Sequence, residues 1–261
     1  MIIEINMDEF HSVEIPNIKT NIIEIKKYFN KIPISSNIIE QNLNGKIKIW
    51  VGPFKKYGGS MMSCQDNEEI EIFIDQNYFR DITNWGIDHE LLHSATNLLD
   101  DDINYFGHDE NYAGVDEATT QFFAEEISGI TLKEEDCYLW FLTNIIRLNK
   151  SIFGVIELAN QYVNGSRTFE NSFNNVANGD FEGFATNMTK IYRLLLKKEY
   201  YTLTDLEEEN LSNMKNSMLQ YLKEFIDTIS LKDKTVYQRI EEEFSDNEFL
   251  KLLYDSSIKI K

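Results

Sequence analysis

The sequence is poor in cysteine, proline and histidine, and it has no long uninterrupted apolar run. Two cysteines in 261 residues are too few for a disulfide framework, which favours a reducing compartment. The first residues carry no basic segment of the kind that begins a signal peptide. No apolar run approaches the ~20 residues that a membrane-spanning helix requires. We therefore expect a cytoplasmic protein. The alternative is export by a route that does not use a signal peptide.

Basic residues are scarce as well, since Lys and Arg number 25 against 44 Asp and Glu, for a formal charge of −19. A chain this acidic repels phosphate backbones and anionic lipid surfaces, so we predict no nucleic-acid partner and no membrane partner. At 42% hydrophobic residues the chain is too apolar for a disordered acidic segment and long enough to bury a core. Composition gives no indication of the oligomeric state.

Proline is confined to the first part of the chain, the last being Pro53, so long helices can form after it. Before the helices, alternating polar and apolar residues predict strands over 46–51 and 69–74, with 60–63 as a third, edge-like strand. A helix is predicted over 21–30. Further helices are predicted from residue 86 onward, including 136–149, 152–163, 181–198, 211–229 and 235–254. The expected fold class is α+β, with a small mixed amino-terminal sheet and a mainly helical carboxy-terminal part.

One segment of the predicted helices carries a chemical motif, His89-Glu90-Leu91-Leu92-His93, which holds two of the four histidines. On a helix, His89 and His93 lie on the same face, one turn apart, where both imidazoles can reach one zinc ion. Glu90 then lies beside the metal rather than on it, in position to accept a proton from water. The pattern predicts a zinc site with a general base.

Catalytic zinc usually takes three protein ligands and keeps one position open. Glu117 is the best candidate for the third ligand. It follows His93 after an irregular stretch, so a second helix can return beside the first and bring a carboxylate to the histidines. Asp116, Glu125 and Glu126 are the alternatives for this ligand.

The motif and the later glutamate resemble the gluzincins, the thermolysin-like group of zinc peptidases, over about residues 89–126. The resemblance implies His89, His93 and Glu117 as ligands of one zinc ion and Glu90 as the general base. It also implies a zincin-like fold, in which a sheet lies beside the active-site helix and its edge strand pairs with extended substrate. The segment Gly58–Ser63 is a candidate for that strand.

The chain departs from the thermolysin branch at Gln121, where that branch has an aspartate that orients the first histidine. Gln121, Thr120 or Glu125 must then take this orienting role. Metzincins are excluded, because their additional glycine and histidine would stand at Thr96 and Leu99.

A peptidase also needs a donor to the oxyanion that forms on the scissile carbonyl. Tyr112, in the connection before Glu117, is the predicted donor, since related peptidases place a tyrosine there. Tyr105 and His108 lie in the same connection, and Tyr192 with Arg193 on a later helix are more distant candidates.

The sequence therefore predicts a zinc-dependent peptidase that acts on a peptide or protein substrate. Its expected parts are an αβ part with the sheet at 1–85, a zinc-binding helix pair at 86–130 and a helical part at 131–261, the first two forming one catalytic unit. One alternative is a non-proteolytic regulatory or binding protein with a zincin fold. Another is an interaction protein in which the helical part acts and the motif is coincidental.

Overall fold

The structure is a computed structural model that describes residues 7–15, 17–34, 38–53, 61–66, 69–76, 84–96, 110–245 and 247–255. Over these ranges the chain forms four strands and eleven α-helices, which confirms the predicted α+β class and the helical carboxy-terminal part. Among the helices in this part of the chain, none is both long and apolar enough to cross a membrane.

The strands form one mixed sheet in the order β1-β2-β4-β3. The strands are β1 (His11–Val13), β2 (Lys46–Gly52), β3 (Met61–Asp66) and β4 (Glu69–Asp75). β2 and β4 pair in parallel and place Ile49 beside Ile72 and Val51 beside Ile74, so alternate apolar residues of both strands are buried. β3 pairs antiparallel with β4 and, within the described ranges, is an edge strand as predicted. The short strand β1 was not predicted.

The helices account for most of the described residues. They are α1 (Ile18–Phe29), α2 (Ile38–Asn42), α3 (Asn84–Thr96), α4 (Ala113–Ser128), α5 (Trp140–Phe153), α6 (Val155–Asn164), α7 (Thr168–Asn174), α8 (Phe181–Tyr200), α9 (Asp205–Ser230), α10 (Val236–Glu243) and α11 (Glu248–Asp255). The single helix expected over 235–254 is wrong, because the chain leaves helical geometry after Glu243. Asn247 then starts α11 by accepting a hydrogen bond from the backbone N–H of Phe249 at 2.8 Å.

Contacts divide the chain into two compact units, Met1–Ile103 with Phe123–Thr131, and Asn104–Phe122 with Leu132–Lys261. The division falls within α4, which is one continuous helix. This division by packing does not test the three functional parts expected from the sequence, which stay a prediction.

In the first unit, α3 lies against α1, α2 and β3. The side-chain amide of Asn21 on α1 donates to a carboxylate oxygen of Asp88 at 2.7 Å, and the amide of Asn42 on α2 donates to the backbone carbonyl of Ala95 at 2.9 Å. Phe123 packs in the same unit, with its ring 5.1 Å from the ring of Phe29. Hydrogen bonds near both ends of α3 therefore fix the helix that carries the histidine motif.

The second unit is built around buried aromatic rings. Phe173 lies near the centre, stacked on Phe225 with 4.4 Å between ring centroids and tilted against Phe184 at 4.8 Å. Arg147 on α5 is almost fully buried and lies over the ring of Phe122 at 5.3 Å. Helices α8 and α9 each bury one face, which is why amphipathic spacing predicted them, whereas α5 is buried on nearly all sides.

Candidate metal centre

The two histidines of the motif face each other on α3. Nε2 of His93 lies 3.1 Å from Nε2 of His89, and the ring planes meet at 74°. Two nitrogens bound at ~2.0–2.1 Å to one tetrahedral ion lie roughly 3.3 Å apart, which is close to the observed separation. Facing lone pairs repel unless a proton or a cation lies between them. The pair is therefore arranged as two nitrogen ligands of a metal ion are.

A carboxylate completes this arrangement. Potential ligand atoms of His89, His93 and Glu117 all lie within 4.8 Å of one another. Two imidazoles and one carboxylate are the donor set of a common class of catalytic zinc site. The donors thus fit a divalent ion by their chemistry and spacing, and the group could hold a metal ion. Its identity is not indicated by the geometry.

Acidic side chains next to the histidines are buried. Glu90 follows His89 directly and is 8% exposed, so a carboxylate of the motif lies out of bulk water. Asp88 is 3% exposed, and burial raises its pKa to about 6, although the hydrogen bond from Asn21 acts in the opposite direction. Polar groups in such surroundings have stronger electrostatic interactions than they would in water.

Helix α4 carries Glu117, and its first turn, just before Glu117, is fixed to α8. The backbone N–H of Gly114 donates to the Thr189 hydroxyl at 3.0 Å, and that hydroxyl donates to the backbone carbonyl of Asn111 at 2.7 Å. A Cβ at Gly114 would lie 2.5 Å from the backbone carbonyl of Met188. Only glycine therefore allows the two helix backbones to approach this closely.

Two tyrosines of the second unit, Tyr138 and Tyr192, lie close enough to Glu117 for its charge to act on them. Burial, and next the charges of Glu117 and Asp116, raise the pKa of Tyr192 well above its usual range, so the phenol stays protonated. Burial and then the charge of Glu117 likewise raise the pKa of Tyr138. The candidate ligand is thus a carboxylate among neutral phenols.

The structure brings His89, His93 and Glu117 together, whereas the cluster found among the described residues does not include Asp116, Glu125 or Glu126. The assignment of individual ligands stays a prediction.

Of the other predicted site residues, Tyr112 stacks on Phe181 with 5.9 Å between ring centroids, and its role as an oxyanion donor stays a prediction. Tyr105 and His108 lie outside the described residues. Arg193 donates to the backbone carbonyl of Glu110 at 3.4 Å. These contacts place Tyr112 and Arg193 in the packing between α8 and the start of α4.

The orienting role proposed for residues after Glu117 is also untested. Gln121 and Glu125 are buried, and the Thr120 hydroxyl lies 2.8 Å from the hydroxyl of Tyr162. The proximity of Tyr192 to the charge of Glu117 was not predicted, although Tyr192 was a distant candidate for another role. No local sequence pattern indicates this proximity, because the two residues belong to helices far apart in the chain.

Comparisons with known proteins give no relative from which a function could be transferred. No protein-family model matches the chain, no curated protein matches it, and no solved structure matches it.

Proposed function

We propose that the chain is a zinc-dependent peptidase of the gluzincin type, with a zincin-like arrangement of its sheet and α3. The observation that supports this most is the clustering of Glu117 with the two histidines of a His-Glu-x-x-His motif. A chance match to the motif would not be expected to have a third zinc-type donor within 4.8 Å. The buried Glu90 also favours an enzyme, because a site that only binds metal needs no general base.

Zinc, when bound by these three residues, supplies a Lewis acid and a water molecule whose pKa is near 7. Glu90 would accept a proton from the water that attacks the peptide carbonyl and would then donate that proton to the leaving amine. Tyr112 is the proposed donor to the oxygen of the scissile carbonyl. Each of these roles belongs to a side chain on α3 or at the start of α4.

The edge strand β3 supports a peptide as the substrate. An extended peptide can add to an exposed strand edge through main-chain hydrogen bonds. β3 packs beside α3, so a peptide paired with it would run along the helix that carries His89 and Glu90. Of the predicted segment Gly58–Ser63, residues 58–60 lie outside the described ranges.

The first test is the zinc content of protein purified without chelators. We expect about one zinc per chain, and a loss of most of it in His93→Ala and in Glu117→Ala, because each variant removes a ligand. His11→Ala is the matched control, since His11 is an exposed residue of β1. Zinc below ~0.2 per chain in the wild type, or equal zinc in all variants, contradicts the metal site.

The second test separates a peptidase from a non-proteolytic metal protein. Glu90→Gln is expected to retain zinc and to lose peptide hydrolysis by ~100-fold or more, because the side chain keeps its shape but no longer accepts a proton. Glu209→Gln, an exposed position on α9, is the control and should cleave a peptide library as the wild type does. Full zinc content without cleavage of any peptide in the library would favour the non-proteolytic alternative.

A further inference from the structure

Helix α1 buries one narrow face, and that face carries an amide among apolar side chains. Its buried residues are Asn21, Ile25 and Phe29, which stand four positions apart and therefore form one stripe along the helix. Burial of an amide is costly unless the amide is hydrogen-bonded. A polar residue in such a stripe therefore indicates a specific partner rather than general packing.

The partner lies on the helix that carries the histidine motif. The side-chain amide of Asn21 donates to a carboxylate oxygen of Asp88 at 2.7 Å, and Asp88 directly precedes His89. Asn21 and Asp88 are only 6% and 3% exposed, so the bond is shielded from water and is stronger than it would be at the surface. Helix α1 thus fixes α3 one residue before the first proposed ligand.

The other end of the same face of α1 contacts α4. The ring of Phe123 lies 5.1 Å from the ring of Phe29 and 6.0 Å from the ring of Tyr28. Phe123 belongs to the continuous helix α4, which carries Glu117 six positions earlier. Asn21 and Phe29 are about 12 Å apart along the axis of α1. One helix therefore contacts both of the helices that carry the proposed ligands.

Helix α2 adds a second anchor near the far end of α3. The side-chain amide of Asn42 donates to the backbone carbonyl of Ala95 at 2.9 Å. The Lys26 ammonium on α1 lies 3.0 Å from the Glu40 carboxylate on α2 and donates to the side-chain oxygen of Asn44 at 2.7 Å. The two anchoring helices are thus linked to each other, and their contacts with α3 enclose both histidines of the motif.

We propose that α1 is the element that aligns the two helices of the metal site, and that Asn21 is a positioning residue, which acts through Asp88 on the placement of α3. This inference rests on the proposed function only in its assignment of His89, His93 and Glu117 as ligands; it does not require peptide cleavage. A site whose ligands come from two helices binds metal tightly only if those helices are held in place beforehand, so the effect is expected on metal affinity.

The test measures zinc affinity by competition with a chromophoric chelator. Asn21→Leu keeps the size of the side chain but removes the donor, and it should weaken zinc binding by ~10-fold, the lower end of the range for residues that contact ligands directly. Asn149→Leu is the matched control, because Asn149 is also a buried amide, donating at 2.8 Å to a backbone carbonyl of α5 in the second unit. The control should stay within ~3-fold of the wild type, and circular dichroism of both variants confirms that they fold.

A second pair of variants covers the other end of α1 and does not depend on Asn21→Leu being folded. Phe29→Leu loses the ring contact with Phe123 and should also weaken zinc binding by more than ~3-fold. Phe225→Leu is its control, since Phe225 is equally buried and stacks on Phe173 in the second unit. Both variants lose packing, but only Phe29→Leu should lose zinc affinity.

The visible absorption of the cobalt-substituted protein provides a readout that a general loss of stability does not change, because it reports the geometry at the metal. The spectrum should change in Asn21→Leu and should be the same as that of the wild type in Asn149→Leu. An identical spectrum in all three proteins would contradict the positioning role.

The outcomes distinguish this inference from the proposed function. A wild type that binds no zinc overturns the metal site and this inference with it. A wild type that binds zinc, with Asn21→Leu and Phe29→Leu both within ~3-fold of it, overturns the role of α1 and leaves the proposed function standing. Losses of affinity as large in the two controls as in the two α1 variants also overturn the role. Zinc binding weakened in the α1 variants alone supports it, whether or not the protein cleaves peptides.

Discussion

Replacing Gly114 by alanine adds one methyl group at the contact between α4 and α8. The new Cβ would lie 2.5 Å from the backbone carbonyl carbon and oxygen of Met188 and 2.6 Å from the backbone nitrogen of Thr189. Carbon atoms in contact are normally ~3.5–4.0 Å apart, so the helices must separate by roughly 1 Å. The atoms in the way belong to the backbone of α8 and cannot rotate aside, as the end of a side chain could.

Two opposing effects decide the sign of the stability change. Alanine is favoured over glycine in a helix interior by up to ~1 kcal/mol. Against this, an added group in a packed contact costs ~1–3 kcal/mol. Separation of the helices also breaks the buried hydrogen bond from Gly114 to Thr189, and an unsatisfied buried group costs ~1–3 kcal/mol. We expect a net loss of ~2–4 kcal/mol in the free energy of unfolding.

Urea denaturation followed by circular dichroism measures this loss. Gly183→Ala on α8 is the matched control, because its new Cβ would meet the carboxylate of the exposed Asp180, which can rotate away. Loss of the cap that Asp180 makes to Gly183 offsets the gain in helix propensity, so the control should stay within ~1 kcal/mol of the wild type. A Gly114→Ala protein as stable as the wild type would refute the close approach of the two backbones.

Two further predictions concern ion pairs of the helical unit. The Glu243 carboxylate lies 2.7 Å from the Lys150 ammonium and 3.5 Å from the guanidinium of the buried Arg147. Glu243→Gln should therefore lower the free energy of unfolding by ~2 kcal/mol, which is less than the loss of a fully buried ion pair would cost. An unchanged midpoint of urea denaturation would contradict this prediction. The hydrogen bond from Lys197 is the largest of the causes that lower the pKa of Glu207 to about 2. The pair therefore contributes stability above pH ~4.5, and this stability is lost as the pH falls towards 2. In Lys197→Met an NMR titration should show the pKa of Glu207 raised towards 4.5, and a value that stays near 2 contradicts the role of Lys197.

Features set by neighbouring residues could be predicted from the sequence. The strands β2 and β4 follow from the alternation of polar and apolar residues at 46–49 and 69–72, a period that favours a half-buried strand. The spacing of His89 and His93 places both on one face of any helix, whatever its surroundings. The expectation that Glu117 returns to them agrees with the observed cluster, although the 16 residues between Thr96 and Ala113 do not by themselves fix where α4 packs.

Some errors came from local signals that were present but not used. Helix α9 begins at Asp205 rather than at 211, and Thr204 with Glu207 forms a capping box that the sequence already contains as Thr-x-x-Glu. The break between α10 and α11 has no proline or glycine, but Asn247 is a typical helix-starting residue. The three residues of β1 carry too short a pattern to be recognised, since they form a strand only by pairing with β2.

The placement of the third candidate ligand depends on contacts of another kind. In the sequence Gly114 is an ordinary, slightly unfavourable residue at the start of a helix. Its importance arises from Thr189, a partner 75 positions away, and no periodicity connects residues at that distance. A chain that kept the histidine motif and Glu117 but had a larger residue at Gly114 would retain every element of the recognisable pattern. It would nevertheless lose the close contact between the start of α4 and α8, and the motif alone does not reveal that difference.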